Sequence, residues 1–254
     1  MATDRQTQGL EDGALFAGRY RIEHLLGKGA MGAVYRAQDV ELDAAIALKV
    51  MTFAHEDAGE RFRREVRLAR RVTHGNVART HDLGRHEEAH YLTMEWIEGR
   101  SLEQQMEAEG CLAADECARV AAEVCEGLAA AHEQRLIHRD LKPGNIMLGP
   151  TGRVVITDFG IARSVTGGEM DGGQTVGAIG TPDYMAPEQV EGAPIDGRCD
   201  LYALGVMLFE MLTGSLPFEE PTPILTAVAR LKRPPPDPRL MATVPDPLAE
   251  LVLR

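Results

Sequence analysis

Apolar and polar positions follow two different patterns on either side of residue 98. Before it, short runs of β-branched, aromatic and aliphatic residues alternate with glycines or charged clusters, a pattern typical of strands. These runs cover residues 20–22, 33–37, 45–50 and 90–96. Between the last two runs, apolar residues recur at helical spacing over residues 60–72. The first part of the chain is therefore predicted to be a sheet with one helix.

After residue 98 the spacing of apolar residues is mainly helical. Residues 113–134 and 201–213 carry them at intervals of three and four, Gly214 ends the second segment, and a shorter helix is predicted from Ser101. A sheet followed by helices, without an internal repeat, favours an α+β fold of two lobes. The expected parts are a flexible tail, a first lobe and a second lobe, at residues 1–18, 19–98 and 99–254.

Composition narrows the possible functions. The 254 residues include 39 acidic and 27 basic ones, for a net charge of −12. This charge argues against binding to nucleic acid or to an anionic membrane surface, because such binding requires basic patches. Cysteine usage indicates a reducing compartment, and we expect a cytoplasmic location; the four cysteines lack the spacing of zinc ligands, which argues against a metal site built on them. No apolar run approaches the roughly 20 residues of a membrane span.

A glycine-rich segment lies between the first two predicted strands. Gly27, Gly29 and Gly32 would let backbone N–H groups approach a polyphosphate closely, and Val34 could cover an adenine ring. The same glycine spacing opens a helix in dinucleotide-binding folds, whereas β-branched and aromatic residues follow it here. An ordinary glycine-rich hairpin remains an alternative for this segment considered alone.

A lysine occupies the third predicted strand. Lys49 stands in an apolar run, where a buried ammonium group requires an anionic partner. Glu65 on the following helix is the candidate carboxylate. Considered separately, Lys49 could lie on an exposed edge strand, and Glu65 could belong to the solvated face of an arginine-rich helix.

Three further motifs carry candidate chemistry. In the segment 137–145, Asp140 can accept or orient a hydroxyl proton, Lys142 can neutralise charge on a transferring phosphoryl group, and Asn145 can offer an oxygen to Mg²⁺. Asp158, followed by Phe-Gly, ends an apolar strand. The segment 180–188 follows a glycine-rich stretch and contains an Ala-Pro-Glu sequence.

In this order the motifs resemble those of the eukaryotic-type (Hanks-type) protein kinases, and in detail those of the bacterial serine/threonine kinases. The resemblance runs from residue 19 to residue 254. It implies a bilobal fold that transfers the γ-phosphate of ATP to Ser or Thr hydroxyls of protein substrates, with Mg²⁺ as cofactor and Mn²⁺ as an alternative metal. Lys142 and Thr181 resemble the serine/threonine branch of the family.

The resemblance also implies the roles of individual residues. Asp140 would be the catalytic base, Asn145 and Asp158 the metal ligands, and Lys49 would contact the α- and β-phosphates while pairing with Glu65. Met94 would be the gatekeeper, with the backbones of Glu95 and Ile97 binding adenine. The implied ATP-binding residues are Gly27, Lys28, Gly29, Ala30, Gly32, Val34, Ala47, Lys49, Met94, Glu95, Ile97 and Met147.

Regulation and substrate docking follow from the same resemblance. Arg139 resembles the arginine that binds an activation-loop phosphate, and Thr175 is the best candidate for autophosphorylation. Thr181 would hydrogen-bond Asp140 and Lys142, and both Thr181 and Glu188 would belong to the substrate platform. In such kinases an arginine further along the chain pairs with the residue that matches Glu188. We therefore expect the second lobe to be incomplete at residue 254 and the chain to be part of a longer protein. A region beyond residue 254 could hold a membrane anchor.

Two other functions compete with an active protein kinase. A pseudokinase or scaffold would keep the fold, but such proteins typically lose the lysine, the catalytic aspartate or the metal-binding aspartate, all of which are present here. A small-molecule phosphotransferase would generally lack the segment that ends in Ala-Pro-Glu. The sequence leaves dimerisation undecided.

Overall fold

A computed structural model of the chain describes residues 10–29, 32–51, 56–159 and 182–254. Its first part is a six-stranded antiparallel sheet with one helix, and its second part is mainly helical. Within these ranges, no helix has the length and apolar character needed to cross a bilayer. The α+β architecture of two lobes is confirmed.

The large sheet has the strand order β1-β2-β3-β4-β6-β5. Its strands are β1 (Leu15–Phe16), β2 (Tyr20–Gly29), β3 (Gly32–Asp39), β4 (Ala44–Met51), β5 (Thr80–His86) and β6 (Ala89–Glu95). Helix α1 (Glu56–Ala69) buries Phe62 and Val66. All four predicted strands and the predicted helix are present. Strand β5 alternates little in burial, which explains why no strand was predicted there.

The sheet begins earlier than the expected start of the first lobe. Strand β1 pairs antiparallel with β2, and Phe16 is buried with Tyr20 and Tyr35 in a small apolar cluster. The prediction of a flexible tail over residues 1–18 is therefore wrong for Leu15 and Phe16. A two-residue strand is too short to give a period-two pattern in the sequence.

The register of three strands defines one face of the sheet. Lys49 lies opposite Val34 on one side and Leu92 on the other, and Ala47 lies opposite Met94. Because directly opposed residues place their side chains on the same face, these five side chains point the same way. Lys49 reaches a residue of the second lobe, so this face borders the cleft between the lobes.

The second lobe contains a small sheet and six helices among the described residues. Strands β7 (Arg100–Ser101), β8 (Ile146–Leu148) and β9 (Val154–Ile156) pair antiparallel. The helices are α2 (Leu102–Glu109), α3 (Ala114–Glu133), α4 (Pro187–Glu191), α5 (Arg198–Thr213), α6 (Pro223–Lys232) and α7 (Asp246–Val252). Ser101 caps α2 in a reciprocal capping box with Gln104. Gly214 ends α5 in the left-handed conformation, as its position in the sequence predicted.

The two lobes are joined behind the cleft by residues 76–78. Val77 forms a bridge with Ile156 of β9, and the side-chain amide of Asn76 donates to the carbonyl oxygen of Val154 at 2.7 Å. Glu123 of α3 accepts from the same amide at 3.0 Å. Thus part of the chain assigned to the first lobe is anchored on the second.

Helix α3 approaches this junction closely at Gly127. A β-carbon there would lie 2.8 Å from the carbonyl oxygen of Asn76 and 2.8 Å from Cδ1 of Ile156, too near for either contact. Gly205, within α5, has nothing within 4 Å of the same position. The chain therefore offers two helical glycines with opposite surroundings.

We expect Gly127→Ala to lower the free energy of unfolding by about 1–3 kcal/mol, because the methyl group forces the junction apart. Gly205→Ala should instead raise it by up to about 1 kcal/mol, since alanine is the better helix former. Urea unfolding followed by circular dichroism measures both. Equal effects of the two substitutions would contradict the close packing at Gly127.

Candidate active site

The site is organised around the buried carboxylate of Asp200, in the first turn of α5. Its oxygens accept the backbone N–H groups of His138 and Arg139 at 2.8 Å each, and Nε2 of His132 lies 2.8 Å away. Burial by itself would raise the pKa of the Asp200 carboxyl. The hydrogen bonds from His132 and from the backbone of His138 and Arg139 outweigh burial, so that this pKa is lowered. A charged carboxylate thus fixes the backbone of the segment 137–145.

His138 connects that segment to the strand that precedes Asp158. The imidazole is fully buried; Nε2 lies 3.0 Å from the carbonyl oxygen of Thr157, and Nδ1 accepts the backbone N–H of Asp140 at 3.3 Å. These partners require the tautomer with its proton on Nε2. Burial lowers the pKa of His138, so the ring is neutral. It packs against Phe159, with 4.8 Å between the two ring centres.

Two residues of the site have left-handed backbone angles that side chains rarely adopt. They are Arg139, with φ of 64°, and Asp158, with φ of 53°. Arg139 is held in place from both sides, since its N–H donates to Asp200 and its carbonyl oxygen accepts from Nε2 of Gln189 at 2.9 Å. Such strain persists only where the surrounding structure fixes it, and it is common at functional sites.

Asn145 and Asp158 come together because β8 and β9 are antiparallel neighbours. Asn145 directly precedes β8, and Asp158 follows β9 by one residue after Thr157. The N–H of Thr157 donates to the carbonyl oxygen of Asn145 at 2.8 Å. The side-chain amide of Asn145 donates to the carbonyl oxygen of Asp140 at 2.8 Å, which directs its own oxygen elsewhere. Lys142 Nζ lies 3.9 Å from Oδ2 of Asp140.

Lys49 crosses the cleft to Asp158. Its Nζ lies 2.8 Å from Oδ1 of that carboxylate. Burial would raise the pKa of Asp158, but the ammonium group beside it outweighs burial, and the pKa of this carboxyl lies below its usual value. The site therefore holds a charged carboxylate and a charged lysine at the junction of the lobes.

The expected pairing of Lys49 with Glu65 is wrong for this structure. Glu65 Oε1 instead lies 3.6 Å from Nη1 of Arg139, and Lys49 forms its ion pair with Asp158. The reason is tertiary: α1 places Glu65 near the segment that Asp200 anchors, where an arginine is available. Helical spacing identifies the face of Glu65 but not the basic residue that it meets.

The three glycines of the first motif differ in their surroundings. At Gly32, φ is 144° and a β-carbon would lie 2.0 Å from the carbonyl oxygen of Val50, so only glycine fits against β4. At Gly27 and Gly29 a β-carbon would meet nothing within 4 Å. The fold therefore requires the third glycine and leaves open space at the first two. Lys28, between them, is exposed.

The other predicted nucleotide-binding residues border the cleft. Met94 lies opposite Ala47, and Met147 of β8 packs against the buried cluster of Ala78, Ile97 and Val155. The N–H of Glu95 donates to the carbonyl oxygen of Arg79 at 2.8 Å, so any contact of Glu95 with a base must use its carbonyl oxygen.

Ala30, Thr175 and Thr181 lie outside the described residues. Glu188 is in α4 and half-buried, and no lysine or arginine among the described residues lies within 4.0 Å of its carboxylate.

Three residues that organise the site were not predicted. No role was predicted for Asp200, although a charged residue at the head of a buried run is itself a signal. Gln189 and Arg230 gave no signal, because each acts by donating to backbone carbonyls that no sequence pattern identifies.

Comparison with known proteins gives consistent matches. The model of the family described as "Protein kinase domain" matches residues 20–234. The serine/threonine-protein kinase PrkC of Bacillus subtilis is 34% identical over 246 residues, covering 95% of this chain and 38% of PrkC. PksC of Streptomyces coelicolor is 38% identical over 236 residues, covering 87% and 42%. For pkn3 of Myxococcus xanthus the identity is 38% over 256 residues, covering 95% and 47%. The chain thus spans less than half the length of these curated relatives.

We expect Asp200→Asn to destabilise the fold by about 2–4 kcal/mol at pH 7, because an amide NH₂ would then face a backbone N–H donor. The folded-state pKa of Asp200 lies below its ordinary value of 3.8. Its contribution is therefore complete above that pH and is lost as the pH falls towards the folded-state value. The difference in the free energy of unfolding between wild type and variant should therefore become smaller below about pH 4.

Urea unfolding at a series of pH values from 7 to 3 measures this gap. Glu107→Gln removes an exposed carboxylate on α2 and is the control, with an expected effect within about 0.5 kcal/mol. A gap that stays constant with pH would show that the charge of Asp200 is unimportant.

Proposed function

The chain belongs to the protein kinase family, and we propose that it is a serine/threonine kinase that transfers the γ-phosphoryl group of ATP to protein hydroxyls. The observation that carries this proposal is the convergence of four side chains at one cleft. Lys49 contacts Asp158 at 2.8 Å, and Asn145 is bonded to the backbone of Asp140 at 2.8 Å. These contacts support a site that combines a cation, two candidate metal ligands and a candidate base.

The nucleotide would lie between the sheet and β8. Val34 and Ala47 would cover the base from above and Met147 from below, with the backbones of Glu95 and Ile97 at its edge. The open space at Gly27 and Gly29 supports this placement, because the fold itself gives no reason for glycine there. Lys49 would bind the α- and β-phosphates, and Lys28 and Ala30 belong to the same covering turn.

Two oxygen donors suit a hard divalent cation. The amide of Asn145 donates through its nitrogen to Asp140, which leaves its Oδ1 available, and the lowered pKa of Asp158 keeps that carboxylate charged. Such a set, completed by phosphate oxygens, fits Mg²⁺, and Mn²⁺ prefers similar ligands. The bound ion would neutralise charge on the phosphates. Among the described residues, no group of three or more Asp, Glu, His or Cys side chains could hold a metal ion.

Phosphoryl transfer then requires few protein groups. The substrate hydroxyl oxygen forms a bond to the γ-phosphorus as the bond to the β–γ bridging oxygen breaks, and the hydroxyl proton passes to Asp140. Lys142, 3.9 Å from Asp140, would neutralise negative charge on the transferring group. ADP and the phosphorylated protein are the products.

Arg139 connects activation to this chemistry. In the structure its guanidinium lies 3.6 Å from Glu65, the residue expected to pair with Lys49. We propose that a phosphate on Thr175 would attract Arg139, since a dianion binds a guanidinium more strongly than a single carboxylate does. Glu65 would then be released for Lys49, leaving Asp158 for the metal.

The setting of the reaction is proposed from its chemistry. Because the reaction consumes ATP, we place this part of the protein in the cytoplasm, with Ser/Thr proteins rather than nucleic acid as partners. Dimerisation, as a route to phosphorylation between two copies, is compatible with this function.

We expect the purified chain to transfer ³²P from [γ-³²P]ATP to itself and to myelin basic protein. Asp140→Asn should reduce the rate by about 10²–10⁴-fold, because the base is lost. Asp115→Asn, an exposed aspartate on α3, is the matched control and should retain the rate.

Nucleotide binding provides an independent measurement, because Trp96 is the only tryptophan and directly follows β6 at the cleft. MgATP should change its fluorescence in both variants. Nucleotide binding without any transfer by the wild type would favour a scaffold instead of a kinase.

We expect phosphopeptide mapping after incubation with MgATP to find phosphate on Thr175. Thr175→Ala should lower activity by roughly ten-fold, and Thr166→Ala is the control. In an Arg139→Met background, Thr175→Ala should have little further effect, because the two groups would act as one pair. An active preparation without phosphate on Thr175 would contradict this assignment.

A further inference from the structure

A buried arginine holds the segment that follows the glycine-rich stretch. Arg230 of α6 is 6% exposed, and its Nη2 donates to the carbonyl oxygen of Asp183 at 3.1 Å. Its Nη1 donates to the carbonyl oxygen of Met185. The guanidinium also lies 5.9 Å from the centre of the Phe218 ring. One side chain therefore binds the backbone on both sides of Tyr184.

This arrangement lacks the partner that a buried cation usually has. Among the residues that the structure describes, no carboxylate lies within 4.0 Å of the Arg230 guanidinium. Burial lowers the pKa of Arg230, although an arginine remains charged. A buried charge is tolerated when hydrogen bonds compensate for lost hydration. Here the carbonyl oxygens of Asp183 and Met185 supply them, together with that of Thr226 within α6. The placement costs stability, so a role in holding these carbonyls explains it.

The side chain between the two carbonyls is fixed as well. The Tyr184 hydroxyl donates to Oε2 of Glu210 in α5 at 2.6 Å. Burial raises the pKa of Tyr184, which keeps the phenol protonated as the donor, and burial also raises the pKa of Glu210. Segment 182–185 is thus bound through its backbone to α6 and through its side chain to α5, and it has little freedom to shift.

The held segment lies beside the candidate catalytic base. Tyr184 and Met185 line a small cavity together with Arg139 and Asp140. Gln189, at the start of α4, accepts the N–H of Ala186 at 2.9 Å and donates to the carbonyl oxygen of Arg139. A displacement of residues 183–185 would therefore move the surface against which an acceptor peptide approaches Asp140.

We propose that Arg230 is a positioning residue that fixes the docking platform for the protein substrate. This inference rests on the proposed kinase function. Arg230 acts only through the carbonyls of Asp183 and Met185 and takes no part in binding ATP. Glu188, the residue that the resemblance assigned to this platform, forms no ion pair among the described residues, so α6 supplies the cation that stabilises the platform here.

The test compares Arg230→Met, Arg230→Lys and the control Arg233→Met in the full 254-residue chain. Arg233 directly follows α6, but it is exposed and pairs with Glu220 at the surface. For each variant, kcat and KM are measured for myelin basic protein and for ATP, together with the rate of ATP hydrolysis in the absence of protein substrate. Trp96 fluorescence reports nucleotide binding.

We expect Arg230→Met to raise KM for the protein substrate at least ten-fold while KM for ATP and the hydrolysis rate stay within two-fold. Arg230→Lys should recover part of the loss, because an ammonium group can donate to one carbonyl but not span both. Arg233→Met should match the wild type.

Three outcomes would overturn the proposal. The first is an unchanged KM for the protein substrate in both Arg230 variants. The second is an equal rise of KM for the protein substrate and for ATP, and the third is a KM for the protein substrate in Arg230→Lys as high as in Arg230→Met. If Arg230→Met does not fold, the KM of Arg230→Lys alone decides. A wild type that transfers no phosphate would instead refute the kinase function itself, so the two failures are distinguishable.

Discussion

The buried carboxylate of Asp200 is the constraint on which the site depends. It binds the backbone N–H groups of two consecutive residues, His138 and Arg139, and the second of these has a left-handed backbone. A charge buried at the head of an apolar helix is stable only when such donors surround it. The requirement works in both directions, because the strained loop needs the carboxylate and the carboxylate needs the loop. Asp140 follows directly, so the position of the candidate base is set from the core of the second lobe.

From this anchor, side chains of opposite charge extend across the cleft. Arg139 reaches Glu65 on α1, and Asp158 reaches Lys49 on β4. These two ion pairs differ from those proposed for the active kinase. There, Glu65 would pair with Lys49, and Asp158 would bind the metal. In the proposed activation, a change of partner at Arg139 would exchange them. Activity would then be controlled by competition for one guanidinium, without any change in the fold of either lobe.

Much of the site could be predicted from short sequence motifs, because groups such as Asp140, Asn145 and Asp158 stand next to turns and strand ends that the sequence also identifies. Other parts could not be predicted. The predicted partner of Lys49 was wrong, because the ion pairs that form depend on how α1 packs against the second lobe. Strand β1 was missed because two residues carry no periodicity. Arg230 was missed because its acceptors are backbone carbonyls, which every residue possesses.

By itself, the sequence determined the two-lobed order of sheet and helices, the cleft between them and the residue types that line it, because hydrophobic period and motif spacing are local properties. Tertiary structure decided which charges meet. It paired Arg139 with Glu65 and Lys49 with Asp158, and it brought Arg230 to the backbone carbonyls of Asp183 and Met185. Such contacts join residues distant along the chain, and electrostatic energy depends on distance in space and on burial, neither of which can be read from spacing in the sequence.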